Sequence, residues 1–471
     1  MQVKFCTAYD GTALLMQMSL KSEEESAILY ILWLGRGVNG VVQFFRHVLS
    51  SLLVFSMFFS LPEALSNETD PSVRERKGDT PSEATWLDRE HYADGSLYEN
   101  PPTEVRTVRI GISYDDSAVM EAYIRNTSGN GFRIGIYNDQ REFVERVRTD
   151  ADDLIVTWAD DEDNGLMILG EDATDVLYLS GSEESLALEP IFGEIAYGVN
   201  TYCGGFECRK APERTMTVIN CVELETYVKG VVPYEMATDW PMEALKAQAV
   251  CARTYVVYNQ NAFSEFGFDL TDNTESQVYR GTTWATPWTD AAVDSTAGEL
   301  IRYEGELCEI YYFAADGGAT EDGQYVFDSA RPYLLGKRDP FEQSVDFAYR
   351  SWTRSYSGEE LAERMLRRDF PFEPIQSIEL ERSALGNVIA VTYVGRSGAK
   401  LRLEGRDCYN AIGLPDCRFS VYWDDGRFHF KGSGLGHSCG LSQWGAKAMD
   451  EIYGYSYDDI IRFYYTGAYI A

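Results

Sequence analysis

The stretch GVVPYEMATDWPMEALKAQAVCARTYVVY, residues 230–258, decides how this sequence is read. Its second half is the clearest helix of the chain, over residues 241–259. Pro241 falls in the first turn, Glu243 lies near the positive end of the dipole, and Asp239 is the expected N-cap. The run EALKAQAVCARTY is rich in alanine, so this helix can lie close to neighbouring backbone. Lys246 and Arg253 stand two helical turns apart and share a face. Upstream, residues 215–232 read as β structure, which sets Glu235 between a strand and the N-terminal region of the helix. A carboxylate there works as a general acid/base if burial raises its pKa towards neutrality. Two nearby cations push the other way, and they could instead bind acidic or polar sugar groups. On spacing alone, a Glu beside a helix N-terminus is a stabilising charge more often than a catalyst.

On either side of this stretch the chain is rich in strand patterns. TVRIGISY at 107–114 and FRIGIY at 132–137 alternate apolar and polar residues, and Ser128-Gly129-Asn130-Gly131 supplies a turn. Asp160, Glu162, Asn164, Gly165 and Glu171 imitate a calcium loop, but apolar strand-like runs flank them, so an acidic hairpin turn is expected. Further strands are expected at 299–302, 307–313, 375–381 and 388–394. A Gly-rich segment, 432–445, leads into a final helix. The pattern is that of an α+β protein: mixed strands with a few helices, preceded by a β-rich N-terminal region.

The 471 residues contain 45% hydrophobic and 25% charged residues, which excludes a disordered or fibrous chain. With 41 basic and 75 acidic residues the net charge is −34, so the chain repels phosphate backbones and nucleic acid is not an expected partner. Four His (His47, His91, His429, His437) exclude a multi-His metal centre unless the last two meet. Residues 48–61, VLSSLLVFSMFFSL, are short for a transmembrane helix and suit a secretory core followed by Ala64-Leu65-Ser66; an uncleaved anchor is the alternative. Residues 1–66 are thus read as a leader, signal peptide or membrane anchor. Residues 1–41 fit no leader, and a start near Val38, Val41 or Val42 would explain them. Residues 67–104 read as a polar linker. Eight of nine Cys follow the leader, and export permits disulfides. Cys203 and Cys208 are close enough in sequence for a small loop, whereas Cys251 reads as a buried small residue. There is no C-x-x-C.

The opening stretch resembles the signature of the stage II sporulation protein D family (SpoIID/LytB). So do FHFKGSGLGHSCGLSQWG at 428–445 and Tyr464-Tyr465-Thr466-Gly467. Phe268-Asp269-Leu270 with Gln277-Val278-Tyr279 matches a third block. Phe313 with Gly317-Gly318 and Thr320-Glu321 matches a fourth. The blocks keep family order over residues 199–471, against a separate β-rich region at 105–198. The resemblance implies a SpoIID-like cleft and a peptidoglycan lytic transglycosylase, a lyase acting on glycan strands stripped of peptide during sporulation engulfment. It makes Glu235 the catalytic acid/base, and Lys246, Arg253, Tyr465 and His437 substrate-binding residues. The partners implied are glycan strands, a cell-wall amidase and a membrane anchor protein, at the extracytoplasmic face of the membrane or in the wall. Tyr234, Trp240 and Trp444 are candidates for stacking on sugar rings.

Three departures from the family pattern stand out. Some members carry zinc in the third block, but here the matching positions hold Thr271, Glu275 and Ser276, poor zinc ligands beside thiolate and imidazole. No metal and no cofactor are therefore expected. The fourth block has Ala314-Ala315-Asp316 where Ser and Thr are usual. The last block has Ser438-Cys439 after His437 where Gly-Val is common, and His437 either orients a loop or binds substrate. The main alternative is a non-catalytic wall-binding module that enhances an amidase; a structural coat or matrix protein is a third class.

Overall fold

Period-two alternation forms strands where the sequence shows it: Val108 and Ile110 of Thr107–Ser113, and Phe132 and Ile134 of Phe132–Tyr137, are fully buried. The computed structural model describes residues 107–160, 164–171, 175–181, 183 and 185–471, together with the backbone of three strands near the start of the chain. Those strands, Gln2–Thr7, Ala13–Lys21 and Ser26–Leu34, pair antiparallel within a separate unit, Met1–Ala93. The expected secretory core at 48–61 and linker at 67–104 lie outside the described residues. No helix among the described residues is long and apolar enough to cross a membrane.

Two sheets build the first part of the second unit. Six strands run in the order Val176–Leu179, Leu166–Gly170, Asp153–Trp158, Glu121–Asn126, Ile195–Tyr197, Asn200–Tyr202. Seven run in the order Leu270–Thr271, Thr107–Ser113, Thr215–Glu223, Gly205–Ala211, Ser185–Pro190, Phe132–Tyr137, Phe143–Thr149. The turn at 128–131 therefore carries the chain from one sheet to the other rather than closing a hairpin. The strands on either side of Asp160 and Asn164, Asp153–Trp158 and Leu166–Gly170, pair antiparallel with Trp158 opposite Leu166, and Glu162 lies outside the described residues. Strand Thr215–Glu223 pairs with Thr107–Ser113, and Val108, Ile110 and Val218 share one core with Val228 and Val250. The expected boundary between residues 198 and 199 thus falls inside one packed body.

Eight helices follow among the described residues: α1 (Leu224–Glu235), α2 (Met242–Tyr258), α3 (Pro287–Asp294), α4 (Gly323–Val326), α5 (Gly358–Leu366), α6 (Asp407–Asn410), α7 (Gln443–Glu451) and α8 (Tyr457–Tyr464). The expected strand at 307–313 is two short ones, Glu306–Leu307 and Tyr312–Phe313. A second core forms around Trp352, Leu361, Tyr393 and Phe430, from α5, α6 and two three-stranded sheets. Helix α2 starts without help from Asp239. Its N-cap is Pro241, which has no side-chain acceptor, and the Asp450 carboxylate of α7 accepts from the Glu243 and Ala244 N–H groups at 2.7 and 3.2 Å instead. All eight described cysteines are free thiols. Cys208 is locked in a buried strand position, and the Cys203 thiol faces the Glu194 carboxylate at 3.6 Å, so the expected small loop does not close.

Candidate active site

Glu235 owes its place to a helix that the sequence pattern disguises. Strand Thr215–Glu223 ends at Glu223, whose carboxylate caps α1 by accepting from the Thr226 N–H at 2.9 Å. Val228, Val231 and Val232, read from sequence as strand, are the buried stripe of α1. Pro233 sits in the last turn, and Glu235 is the last helical residue, with the Met236 N–H bonded to Val232 O at 3.0 Å. The carboxylate therefore stands at the C-terminal end of α1, not at the entry to α2. The carbonyl end of a helix disfavours a negative charge.

Two hydrogen bonds hold the partly buried carboxylate: Oε1 accepts from the Val278 N–H at 3.1 Å, and Oε2 from Gln443 Nε2 at 3.3 Å. Burial pushes the Glu235 carboxyl above the ordinary range, while these bonds and the Tyr312 phenol partly oppose the shift. All three of these partners are neutral. The Tyr312 hydroxyl accepts from Gln277 Nε2 at 2.8 Å, and Gln277 Oε1 accepts from the Tyr227 hydroxyl at 3.2 Å. On the other side Gln443 Nε2 reaches Gln248 Oε1 at 3.4 Å. Gln248 is fully buried and its own Nε2 has no partner.

The network joins α1, α2, the third block, the fourth block and the last block around one carboxyl group. Strand Tyr312–Phe313 pairs parallel with Leu441–Ser442, which sets Tyr312 beside the start of α7 and so beside Gln443. Gly440 permits this approach: its φ is +81°, and a Cβ there would lie 2.0 Å from Tyr311 O. Gln277, Val278, Tyr312 and Gln443 are given no site role by the sequence. Three of the four lie inside the quoted blocks and Tyr312 adjoins one, but nothing in their spacing showed that they would converge on Glu235.

The bonds to the Glu235 carboxylate come from none of the expected substrate-binding residues. Arg253 is wholly buried. Its Nε and Nη2 reach the two oxygens of Glu225 at 2.7 Å each, and Nη1 donates to Glu299 O at 3.2 Å. That guanidinium ties α2 to α1 and reaches no solvent, which corrects its expected contact with substrate. Lys246 pairs with Glu243 at 2.8 Å and lies 5.5 Å from the Tyr457 ring centre. Tyr465 is also fully buried, its hydroxyl donating to Tyr311 O at 2.6 Å. His437 uses both ring nitrogens internally: Nε2 bonds Tyr312 O at 3.0 Å, and Nδ1 accepts from the Cys439 N–H at 3.2 Å. Burial, reinforced by the charge of Arg406, pushes its pKa down to about 3, so the ring is neutral near pH 7.

Three aromatics lie on partly exposed ground. Tyr234 stacks on the exposed Trp284 at 5.2 Å, and Trp240 meets Trp444 edge-on at 4.8 Å. At the third block the protein's own groups use the would-be ligands. The Ser276 hydroxyl accepts from the Thr271 N–H at 3.1 Å, and Glu275 Oε2 accepts from the Tyr114 hydroxyl at 3.0 Å. These residues do not fit zinc.

A family model described as Stage II sporulation protein matches residues 212–303, a segment that contains Glu235 and the third block. Stage II sporulation protein D of Bacillus amyloliquefaciens is 30% identical over 53% of this chain and 74% of its own length. The chain belongs to the stage II sporulation protein D family. An uncharacterized protein of Brachyspira hyodysenteriae is 34% identical over 54% of this chain and 68% of its own. The amidase enhancer of Bacillus subtilis is 29% identical over 51% of this chain, which spans only 39% of that relative.

Proposed function

We propose that this protein is an exported peptidoglycan lytic transglycosylase that cuts peptide-free glycan strands, in the wall remodelling of sporulation engulfment. The observation that carries this reading is the Glu235 carboxyl, raised in pKa by burial and held only by neutral donors. Such a group holds its proton to higher pH than a free carboxyl does, which suits a general acid. Most glycosidases need two carboxyl groups, because water is the nucleophile or must displace one. A lytic transglycosylase needs one. Glu235 protonates the glycosidic oxygen; as carboxylate it then takes the proton from the muramic C6 hydroxyl. That hydroxyl attacks C1 and closes a 1,6-anhydro ring, and substrate geometry supplies the proximity. Tyr234, Trp240 and Trp444 are the rings proposed to stack on sugars, and Lys246 the cation nearest to a polar role at the rim.

The test is product analysis by mass spectrometry after peptide-free strands are incubated with the protein. Anhydromuramic ends support the reading. A second reading rests on the relative named amidase enhancer: a wall-binding module that stimulates an amidase. A protein that never cuts purified glycan yet raises amidase turnover establishes that alternative.

A further inference from the structure

Three acidic side chains converge in the interior. Asp316, Asp339 and Glu342 are 0%, 2% and 1% exposed, and one oxygen of each lies within 4.8 Å of the others. Glu342 accepts from the Asp316 N–H, the Gly317 N–H and the Ser442 hydroxyl, at 2.6, 2.8 and 2.8 Å. Asp339 accepts from the Phe341 and Glu342 N–H groups through Oδ1 and from the Tyr464 hydroxyl through Oδ2 at 2.6 Å. Asp316 Oδ1 accepts from the Gly318 N–H at 2.6 Å. Asp316 Oδ2 is fully buried and accepts from no N–H or hydroxyl group, and the Asp316 carboxyl meets that of Asp339. The charges acting most strongly on Asp316 are those of Asp339 and Glu342. A buried carboxylate oxygen with no donor, facing two more acids, is costly unless a cation or a proton meets it.

We propose that Asp316, Asp339 and Glu342 form a binding site for one hard divalent cation, calcium in preference to magnesium. The donor set is oxygen alone, which suits neither zinc nor copper. Calcium–oxygen distances of about 2.3–2.6 Å put opposite ligands roughly 5 Å apart, so atoms within 4.8 Å of one another fit one coordination shell. Magnesium keeps several waters and is seldom held by three carboxylates of one buried pocket.

The cation ties together three segments that share no continuous secondary structure. They are the loop after strand Tyr312–Phe313, the 339–342 turn, and, through Ser442, the start of α7. Gln443, the next residue, donates to Glu235. The ion therefore fixes the ground from which Gln443 reaches the carboxyl, and it takes no part in bond cleavage. The inference does not depend on the lytic reading, and its test reads binding rather than activity.

The purified full chain, stripped with EDTA and dialysed, is titrated with terbium(III) under tyrosine excitation. Tyr464, hydrogen-bonded to Asp339, is the built-in energy donor. Emission should saturate at one ion per chain, calcium should displace it at lower concentration than magnesium, and calcium should raise the melting temperature. Asp316→Asn keeps the bond from Gly318 but removes a charge, so calcium affinity should fall by roughly tenfold or more. The parent titration decides the matter even if that variant fails to fold. Absence of any bound ion at about 10 mM calcium, well above the weakest calcium modules, would overturn the site in favour of a shared proton. So would a folded Asp316→Asn that binds calcium as tightly as the parent.

Discussion

At Glu235 the chemistry and the stability pull in opposite directions. Burial raises its folded pKa above the unfolded value. The folded state therefore holds the proton more tightly, and this contribution to stability is full below the unfolded pKa and lost as pH rises through the folded one. Glu235→Gln is neutral throughout, so its melting temperature should decline less than the parent's over that rise, as thermal melts across pH will show. The same substitution should lower glycan cleavage by roughly 10²–10⁴-fold, with circular dichroism unchanged. The parent's kcat/KM should fall on the alkaline side as the acid loses its proton. A variant that still cuts ends the assignment of Glu235. Arg253 makes the contrasting case. Arg253→Ala strands Glu225 against a fully buried cavity and should cost about 3 kcal/mol in denaturant melts. KM of the fraction that remains folded should not move, whereas a substrate contact would raise it.

Helix ends decide more of this site than helix middles. The Ala-rich α2 was legible from its composition, to within a residue at each end. Helix α1 was not, because Val228, Val231 and Val232 are β-branched and favour strand on local preference. Spacing alone could not separate a buried helix from a strand in so short an apolar run. That single misreading moved Glu235 from a helix entry to a helix exit and changed the sign of the dipole acting on it. The cap of α2 was hidden for a different reason: its acceptor, Asp450, lies some two hundred residues away in sequence. Asp450→Ala should cost about 1 kcal/mol in denaturant melts, the usual loss for an N-terminal acceptor. Asp239→Ala should cost much less, and equal losses would show that the cap is shared. The four blocks were legible as motifs; that Gln277, Tyr312 and Gln443 form one hydrogen-bonded chain around Glu235 depended on pairings across the fold.

The whole molecule sets an electrostatic problem for the proposed substrate. A chain at −34 repels anions at long range, and removing peptides from peptidoglycan frees a lactyl carboxylate on each muramic acid. A basic groove beside the second core, among the described residues, works the other way. The open groove of about 560 Å³ is lined by Arg350, Arg382, Arg418 and Lys431 with no carboxylate among its lining residues. Arg382 and Arg418 are anchored on carbonyls, Arg382 Nη2 on Phe419 O at 2.6 Å and Arg418 Nη1 on Leu385 O at 3.2 Å. Burial and the charge of Arg418 push the Arg382 pKa down. Long-range repulsion and short-range attraction respond to salt in different ranges. From about 0.01 to 0.1 M the screening length falls from roughly 30 to 10 Å, which removes the repulsion while sparing contacts inside the groove. Near 1 M it is about 3 Å, and the contacts weaken too. Retention on peptide-free glycan should therefore rise, pass through a maximum and fall as salt increases, measured by co-sedimentation. Lys431 is exposed, so Lys431→Glu should fold normally and bind less at every salt concentration. A monotonic fall from the lowest salt would mean that the net charge is irrelevant to capture, and an unaffected Lys431→Glu would mean that the polymer passes elsewhere.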